Sequence, residues 1–363
     1  MIVTLDATPL LGVRTGIGRY VENLVRELPA ALGRRTPSSE VRVSTWTARG
    51  GRLHGLPPGV RQVGPRVPAR VLRELWRRVD APAVELLVGR TDVFHGTNFT
   101  SPPTRNAREV VTVHDLTYEV LASTVSRASL LYRELVPRAI GRGAHVVTPS
   151  RTVADAVQDL YGLSSDRVTV TPLGVQDAFF DARPPSAPWM QDRGLPADYL
   201  LFVGSLDPRK NLPRLIAAHT ALTAVRADTP ALVLAGPAGR EPGLAGPGVI
   251  ATGWLTDSEL HSLVAGARAL VLPSLDEGFG LPVIEALAAG RPVAAAAIPA
   301  VAEVAGDHAV VADPRDVDSI AASLDAVLDV VDSEDARASR RSWARQFTWS
   351  ACADRTVDVY LGR

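Results

Sequence analysis

The 363-residue chain is short of several things. A single cysteine, Cys352, excludes an internal disulfide and any cysteine-based zinc site, which suits a reducing cytoplasm. No uninterrupted apolar run reaches about 18 residues, so a spanning helix is excluded. The start, Met1-Ile2-Val3-Thr4-Leu5-Asp6, lacks the charged leader and apolar core of a signal peptide and reads as a first strand. Net charge is absent too: 39 basic side chains meet 39 acidic ones, which argues against generic nucleic-acid binding. Lysine is all but missing. Of the 39 basic residues 38 are arginine, and the exception is Lys210. A GC-rich codon bias accounts for the arginines without functional meaning, yet it makes the address of the one lysine worth finding.

An apolar content of 46% fits a globular enzyme. The length exceeds what one core usually fills, at roughly 100–200 residues per domain, so two domains are expected. The zero net charge hides a split. Residues 1–180 carry 23 basic and 16 acidic side chains, and residues 181–363 carry 16 and 23, which gives +7 and −7. Opposite signs suit two domains that meet different partners or each other; drift of surface charge is the plainer explanation.

Short β-branched runs alternate with amphipathic stretches, the pattern of parallel sheets with helical crossovers. Expected strands in the first half are 2–5, 41–46, 93–95, 110–113, 145–148 and 168–171, with helices over 17–28, 70–79 and 151–160. Ser150 stands where an N-cap belongs. The Pro-rich stretch 183–195 reads as an interdomain hinge. A second alternation follows, with strands at 199–203, 231–235, 249–252, 269–272 and 292–296, and helices at 212–225, 257–265, 282–289 and 317–330. The fold class is therefore α/β, with two Rossmann-like domains facing a central cleft. The boundaries are 1–180, 181–345, and a C-terminal helix in 346–363 that crosses back to the first domain.

Four segments sit where a strand gives way to a helix or loop, the edge at which open α/β sheets place ligands. Gly16 and Gly18, in Thr15-Gly16-Ile17-Gly18, open a helix; they bring backbone N–H groups to a phosphate, or simply make a tight turn. His114-Asp115 follows a strand: His114 is a candidate to hydrogen-bond a substrate hydroxyl or act as a base, against the plainer reading of a solvated or structural histidine, and His95, at the end of another strand, is a candidate to border the same cleft. In Gly204-Ser205-Leu206-Asp207-Pro208-Arg209-Lys210-Asn211, two cations open a helix and suit a diphosphate. In Glu277-Gly278-Phe279-Gly280-Leu281-Pro282-Val283-Ile284-Glu285, two carboxylates eight residues apart flank exposed amides. Such a pair can hold sugar hydroxyls at one end and ribose hydroxyls at the other.

Taken together, these segments resemble the retaining glycosyltransferases of family 4, which have the GT-B fold. The His-Asp-Leu and Pro-Arg-Lys-Asn forms resemble the branch with bacterial mannosyltransferases. The resemblance implies a nucleotide-sugar co-substrate, no cofactor and no metal, and no Asp-x-Asp stands beside a strand here. It implies that Glu277 contacts the donor sugar, that Glu285 binds ribose, and that Gly278, Phe279, Gly280 and Leu281 offer backbone contacts. Lys210 matches the diphosphate-binding lysine. The family's frequent arginine five residues earlier is Ser205 here, and Arg209 is the candidate to replace its charge. Thr252, Trp254 and Leu255 would border the base, Gly16 and Gly18 would approach the diphosphate, and His114 would contact the sugar near the reacting carbon.

The implied activity moves a hexose, with GDP-mannose favoured as donor, to a glycan, lipid-linked or small-molecule acceptor, in a cytoplasmic protein. His114, Lys210 and Glu277 are the catalytic candidates, and His95 and Asp115 stand on the acceptor side. A UDP-sugar-dependent transferase, an epimerase of the same fold and a non-catalytic sugar-binding protein are the alternatives. A dehydrogenase is disfavoured, because neither Gly-rich turn completes the dinucleotide pattern. Arg61, Arg66, Arg70, Arg73, Arg77 and Arg78, around Leu72, Leu75 and Trp76, make either a basic surface for anionic lipid at the inner membrane face or a solvated helix face.

Overall fold

Runs such as Tyr199-Leu-Leu-Phe-Val203 are buried at every residue, which requires a strand covered on both faces. A computed structural model describes residues 1–12, 14–48, 52–241 and 243–363. The chain divides into two units: Met1–Gly174 with Trp349–Arg363, and Val175–Thr348.

Among the described residues the first unit holds seven strands: β1 (Ile2–Asp6), β2 (Glu40–Ser44), β3 (Arg61–Val63), β4 (Val93–Gly96), β5 (Arg108–Thr112), β6 (His145–Thr148) and β7 (Val168–Val170). All pair in parallel in the order β3-β2-β1-β4-β5-β6-β7. The second unit holds β8 (Tyr199–Val203), β9 (Ala231–Ala235), β10 (Val249–Gly253), β11 (Ala269–Leu272), β12 (Val293–Ala296) and β13 (Ala309–Ala312), in the parallel order β10-β9-β8-β11-β12-β13. Each sheet reverses its winding once, between β1 and β4 and between β8 and β11. At those reversals the following loops diverge and leave a crevice for a ligand.

Three strand-end glycines keep the carboxyl edge of the second sheet narrow. The Gly204 N–H donates to Ala235 O and the Gly236 N–H to Gly253 O, so the ends of β8, β9 and β10 are laced together. A Cβ at Gly236 would overlap the Gly204 carbonyl, and its φ of +148° already disfavours a side chain.

The interdomain crossing differs from the expected hinge. The chain passes between units at Gly174–Val175 and returns at Thr348–Trp349. The Pro-rich stretch 183–195 lies within the second unit, where Ser186 accepts from the Trp189 N–H and caps the short helix Ala187–Asp192. Proline suited a helix start there rather than a linker. The C-terminal helix Trp349–Leu361 belongs to the first unit. It packs along helix Gly16–Arg35, with Arg34 paired to Asp354 at 2.9 Å and Arg35 paired to Asp358.

Replacing Gly236 by alanine should cost about 1–3 kcal/mol through overpacking at the laced edge. That corresponds to a loss of roughly 4–10 °C in melting temperature. An unchanged melting curve in scanning fluorimetry would mean that the edge yields freely.

Candidate functional site

The chemistry of the second unit gathers at its winding reversal. The loop after β8 carries Ser205 to Asn211, and the loop after β11 carries Pro273 to Gly280. Leu275 N–H donates to Arg209 O at 2.9 Å. Asn211 sits at φ +61° and donates through its side-chain amide to Pro273 O (3.0 Å) and Pro314 O (2.6 Å). Asparagine is among the few residues that tolerate the left-handed region, and its amide clamps the two loops to the end of β13.

On this clamp stands Glu277, 8% exposed. Its Oε1 accepts from Lys210 Nζ at 2.5 Å and Ser274 Oγ at 2.6 Å, and its Oε2 accepts from Arg209 Nη1 at 2.8 Å. Arg209 Nη1 also donates to Asp276 O at 2.8 Å. Burial alone would raise the Glu277 carboxyl, but Lys210 and then Arg209 outweigh it and hold it down to about 2. Glu277 is a carboxylate at any working pH. It can accept hydroxyl protons in hydrogen bonds, and it cannot serve as an acid.

Helix Leu281–Ala288 starts directly after this loop, with Gly280 as N-cap at φ +95°. Glu285 is 4% exposed in that helix. Gly278 and Leu281 are buried, and the Phe279 ring packs edge-on against Phe347 at 5.8 Å, so any ligand contact it makes comes from its backbone. Ser205 is half-buried on the β8 loop. Thr252 lies in edge strand β10, and Trp254 and Leu255 follow it directly; Trp254 is 53% exposed.

In the first unit, Gly16 is exposed at the N-terminus of a twenty-residue helix, and Thr15 makes no side-chain cap there. Gly18 is buried, and a Cβ would approach the Pro9 carbonyl oxygen at 3.1 Å, so its smallness serves close packing. His114 Nε2 donates to Thr97 O at 2.8 Å. A carbonyl only accepts, so the proton lies on Nε2 and Nδ1 keeps its lone pair. Burial pushes the His114 pKa below its ordinary value. Asp115 is half-buried, and its Oδ1 accepts from the Thr117 N–H at 3.1 Å, which turns the chain into the next helix.

His95 is a correction. It is fully buried, with Nδ1 on the Tyr360 hydroxyl and Nε2 on the Thr112 hydroxyl, both at 2.7 Å. Burial, and next the nearby His114, push its pKa down to about 3. Both nitrogens are spent on the core, so it meets no acceptor; it fastens the C-terminal helix to β4 and β5.

Chains with this architecture and these motifs are known. Residues 14–179 match the model of Glycosyltransferase Family 4, and residues 197–329 match that of Glycosyl transferases group 1. The O-antigen chain mannosyltransferase B of Escherichia coli is 28% identical over 99% of both chains. The chain belongs to the family-4 glycosyltransferases. Its GT-B fold is shared with the sucrose-phosphate synthase of Thermosynechococcus elongatus (TM-score 0.76, 20% identity, 99% and 98% of the two chains). Anabaena HepE in complex with UDP and glucose shares it too (TM-score 0.67, 15% identity, 99% and 98%). The transferase thus carries the buried Glu277–Lys210–Arg209 cluster in the unit matched by the group 1 model. Asn211 was overlooked as a site builder; its place just after the basic pair, before a helix, was the available signal.

The cluster makes the stability of the transferase depend on pH. The folded Glu277 pKa lies below its ordinary value of 4.5, so its stabilisation is complete above that value and fades as pH falls toward 2. The stability gap between wild type and Glu277→Gln should shrink by about 2 kcal/mol between pH 5 and pH 3. Denaturant titrations at both pH values measure it, and a constant gap would contradict the ionic cluster.

Proposed function

We propose that the transferase is retaining and metal-independent, and that it moves a hexose from a nucleotide-diphosphate sugar, with GDP-mannose favoured, to an acceptor hydroxyl. One observation carries the reading: two cations and a buried carboxylate converge at the winding reversal of the second sheet. The resemblance to a mannosyltransferase along the whole chain supports mannose as the sugar. The UDP bound by HepE leaves the base as a matter for experiment.

The roles follow from charge. Lys210 and Arg209 would meet the diphosphate and stabilise the charge that grows on it as the glycosidic bond breaks. Glu277, ionised throughout, would accept hydrogen bonds from donor-sugar hydroxyls. Glu285 would take the ribose hydroxyls. The glycine-laced edge from Gly204 past Gly236 to Gly253 would let the nucleotide lie close to the backbone, toward Thr252, Trp254 and Leu255. His114 would accept a substrate hydroxyl at Nδ1, an orienting bond that leaves its charge unchanged. With no protein nucleophile assigned, the acceptor oxygen would attack on the face the diphosphate leaves, and a donor phosphate oxygen would take its proton.

A melting-shift panel of GDP-, UDP- and ADP-sugars should raise the midpoint with one base, and the product should keep the anomeric configuration of the donor by NMR. Lys210→Ala should lower kcat roughly 100-fold or more. Lys210→Arg keeps the charge but not the compact ammonium, and should also lose activity. Near-wild-type turnover in Lys210→Ala would sink the phosphate role. Donor converted without acceptor would favour an epimerase, and binding without turnover a sugar-binding protein.

A further inference from the structure

The turn that follows β4 holds a bulky residue in a conformation that bulky residues avoid. Phe99 sits at φ +56°, in the left-handed region, where such a side chain is strained. Among the described residues Ser38 and Asn211 are the other non-glycines at positive φ, and both are short and polar. A strained position of this kind persists where its surroundings over-determine it. Here the turn is tight: a Cβ on Gly96 would lie 2.1 Å from Thr100 O, so the chain doubles back on the strand it has just left. On one side Thr97 Oγ1 donates to Asp6 O at 2.5 Å, and on the other the Phe99 N–H donates to Thr112 O at 3.0 Å. The turn therefore bridges the ends of β1 and β5, the two strands that flank β4.

His114 lies against this turn. Its Nε2 donates to Thr97 O at 2.8 Å, so the same turn supplies the acceptor that fixes the tautomer. Two aromatic rings stand nearly perpendicular to the imidazole, Phe99 at 5.4 Å and 73°, and Tyr20 at 5.1 Å and 81°. Both are tied to Thr112, two residues before the histidine. The Tyr20 hydroxyl pairs with Thr112 Oγ1 at 3.0 Å, and the Phe99 backbone donates to the Thr112 carbonyl. On the Phe99 ring itself, Tyr132 stacks at 4.6 Å and 20°, and Tyr118 meets it edge-on at 5.6 Å.

With those neighbours and 4% exposure, the Phe99 ring offers no face to a ligand. Filling a core is not reason enough for its strained backbone, because an ordinary extended residue can also deliver a ring to a core. The left-handed turn does two things at once for the histidine. It holds Thr97 O on Nε2, and it stands a flat wall beside the imidazole. A reacting group gains most when its own rotamer is locked by such packing and hydrogen bonding.

We propose that Phe99 is a positioning residue for His114: its turn and its ring lock the imidazole with the proton on Nε2, so that Nδ1 is held ready as the hydrogen-bond acceptor. The inference rests on the role given to His114 above. Nitrogen-15 NMR of the full chain labelled at its seven histidines tests it, with His114 assigned by its loss from the His114→Ala spectrum. Wild type should show His114 as one tautomer, protonated at Nε2. Phe99→Gly relaxes the backbone and deletes the ring, and should give mixed tautomers. With GDP-mannose as donor and methyl mannoside as acceptor, it should also lower kcat roughly tenfold or more while the donor KM changes less than about threefold. Phe99→Asn, which tolerates the same φ, takes its place if the glycine variant fails to fold. A single tautomer retained in the ring-deleted variant, or a kcat within about twofold of wild type, overturns the positioning role. His114→Ala, assayed alongside, separates the two levels. Wild-type turnover in His114→Ala removes the histidine's role and this inference with it; impaired turnover there beside an unimpaired Phe99 variant removes only the positioning. If wild type does not turn over GDP-mannose, the donor reading falls, and the nitrogen spectra decide the positioning by themselves.

Discussion

One carboxylate, Glu277, organises the second unit's site. It is nearly buried and would be costly there alone, since an ion removed from water loses several kcal/mol of solvation. Lys210, Arg209 and Ser274 offset that loss, and they come from two different loops. The cluster therefore holds those loops in register before any ligand arrives. Asn211 performs the same task with a neutral amide, pinning the loops to the end of β13. The arrangement is preorganised in charge as well as shape. A diphosphate entering it would meet cations already desolvated and aimed, so little reorganisation remains for the reaction itself.

The far edge of the same sheet solves an opposite electrostatic problem. Helices Asp257–Gly266, Leu281–Ala288 and Val317–Leu328 end near one another, and their terminal carbonyls carry partial negative charge. Arg340 donates to Gly290 O and Val331 O, and Arg291 reaches Ala267 O. Asp332 collects Arg291, Arg337 and Arg340 on one carboxylate. Arg341, beside them, pairs with Glu334, so these arginines are taken up by helix ends and carboxylates rather than left for an anion. Helix Leu281–Ala288 spans both regions. Its N-terminus opens at the Glu277 loop and its C-terminus is anchored by arginine.

Much of the fold was legible because buried parallel strands are apolar and β-branched, so Ile2–Leu5, Val110–Val113 and Tyr199–Val203 declared themselves. Elements without that signal were missed. Strand β3 has only three residues, two of them polar, at a sheet edge. Helix Tyr132–Gly141 contains Pro137, which reads as a break although the helix continues through it. Strand β13 follows Gly306-Asp307 and helix Glu334–Ala344 follows the N-cap Ser333, signals present in the sequence but passed over. In the site, local motifs located Arg209, Lys210 and Glu277 correctly as neighbours of strand ends. Their mutual contact, across 67 and 68 residues, depends on sheet order, which spacing does not encode. The two histidines show the same limit. His95 lies near the end of β4 and His114 just beyond β5, and both are buried; the bond from His95 to Tyr360, 265 residues away, is one that no local motif shows.

The lone lysine gains a physical reason from its surroundings. Lys210 is 6% exposed, and its stem runs beside Gly204: a Cβ placed on that glycine would lie 3.5 Å from Lys210 Cε. The ammonium at the end of that stem bonds Glu277 Oε1 at 2.5 Å. Arg209, next in sequence, is more exposed and approaches the other carboxylate oxygen with a guanidinium that also grips Asp276 O. The two cations divide one carboxylate according to shape. The planar fork takes the open side, where it has two acceptors, and the point charge takes the buried side, where a fork would leave donors unmet. A genome that drifts toward arginine can replace lysine wherever a solvated charge suffices. It meets resistance where a buried ammonium is bonded to a buried carboxylate, as Lys210 is to Glu277.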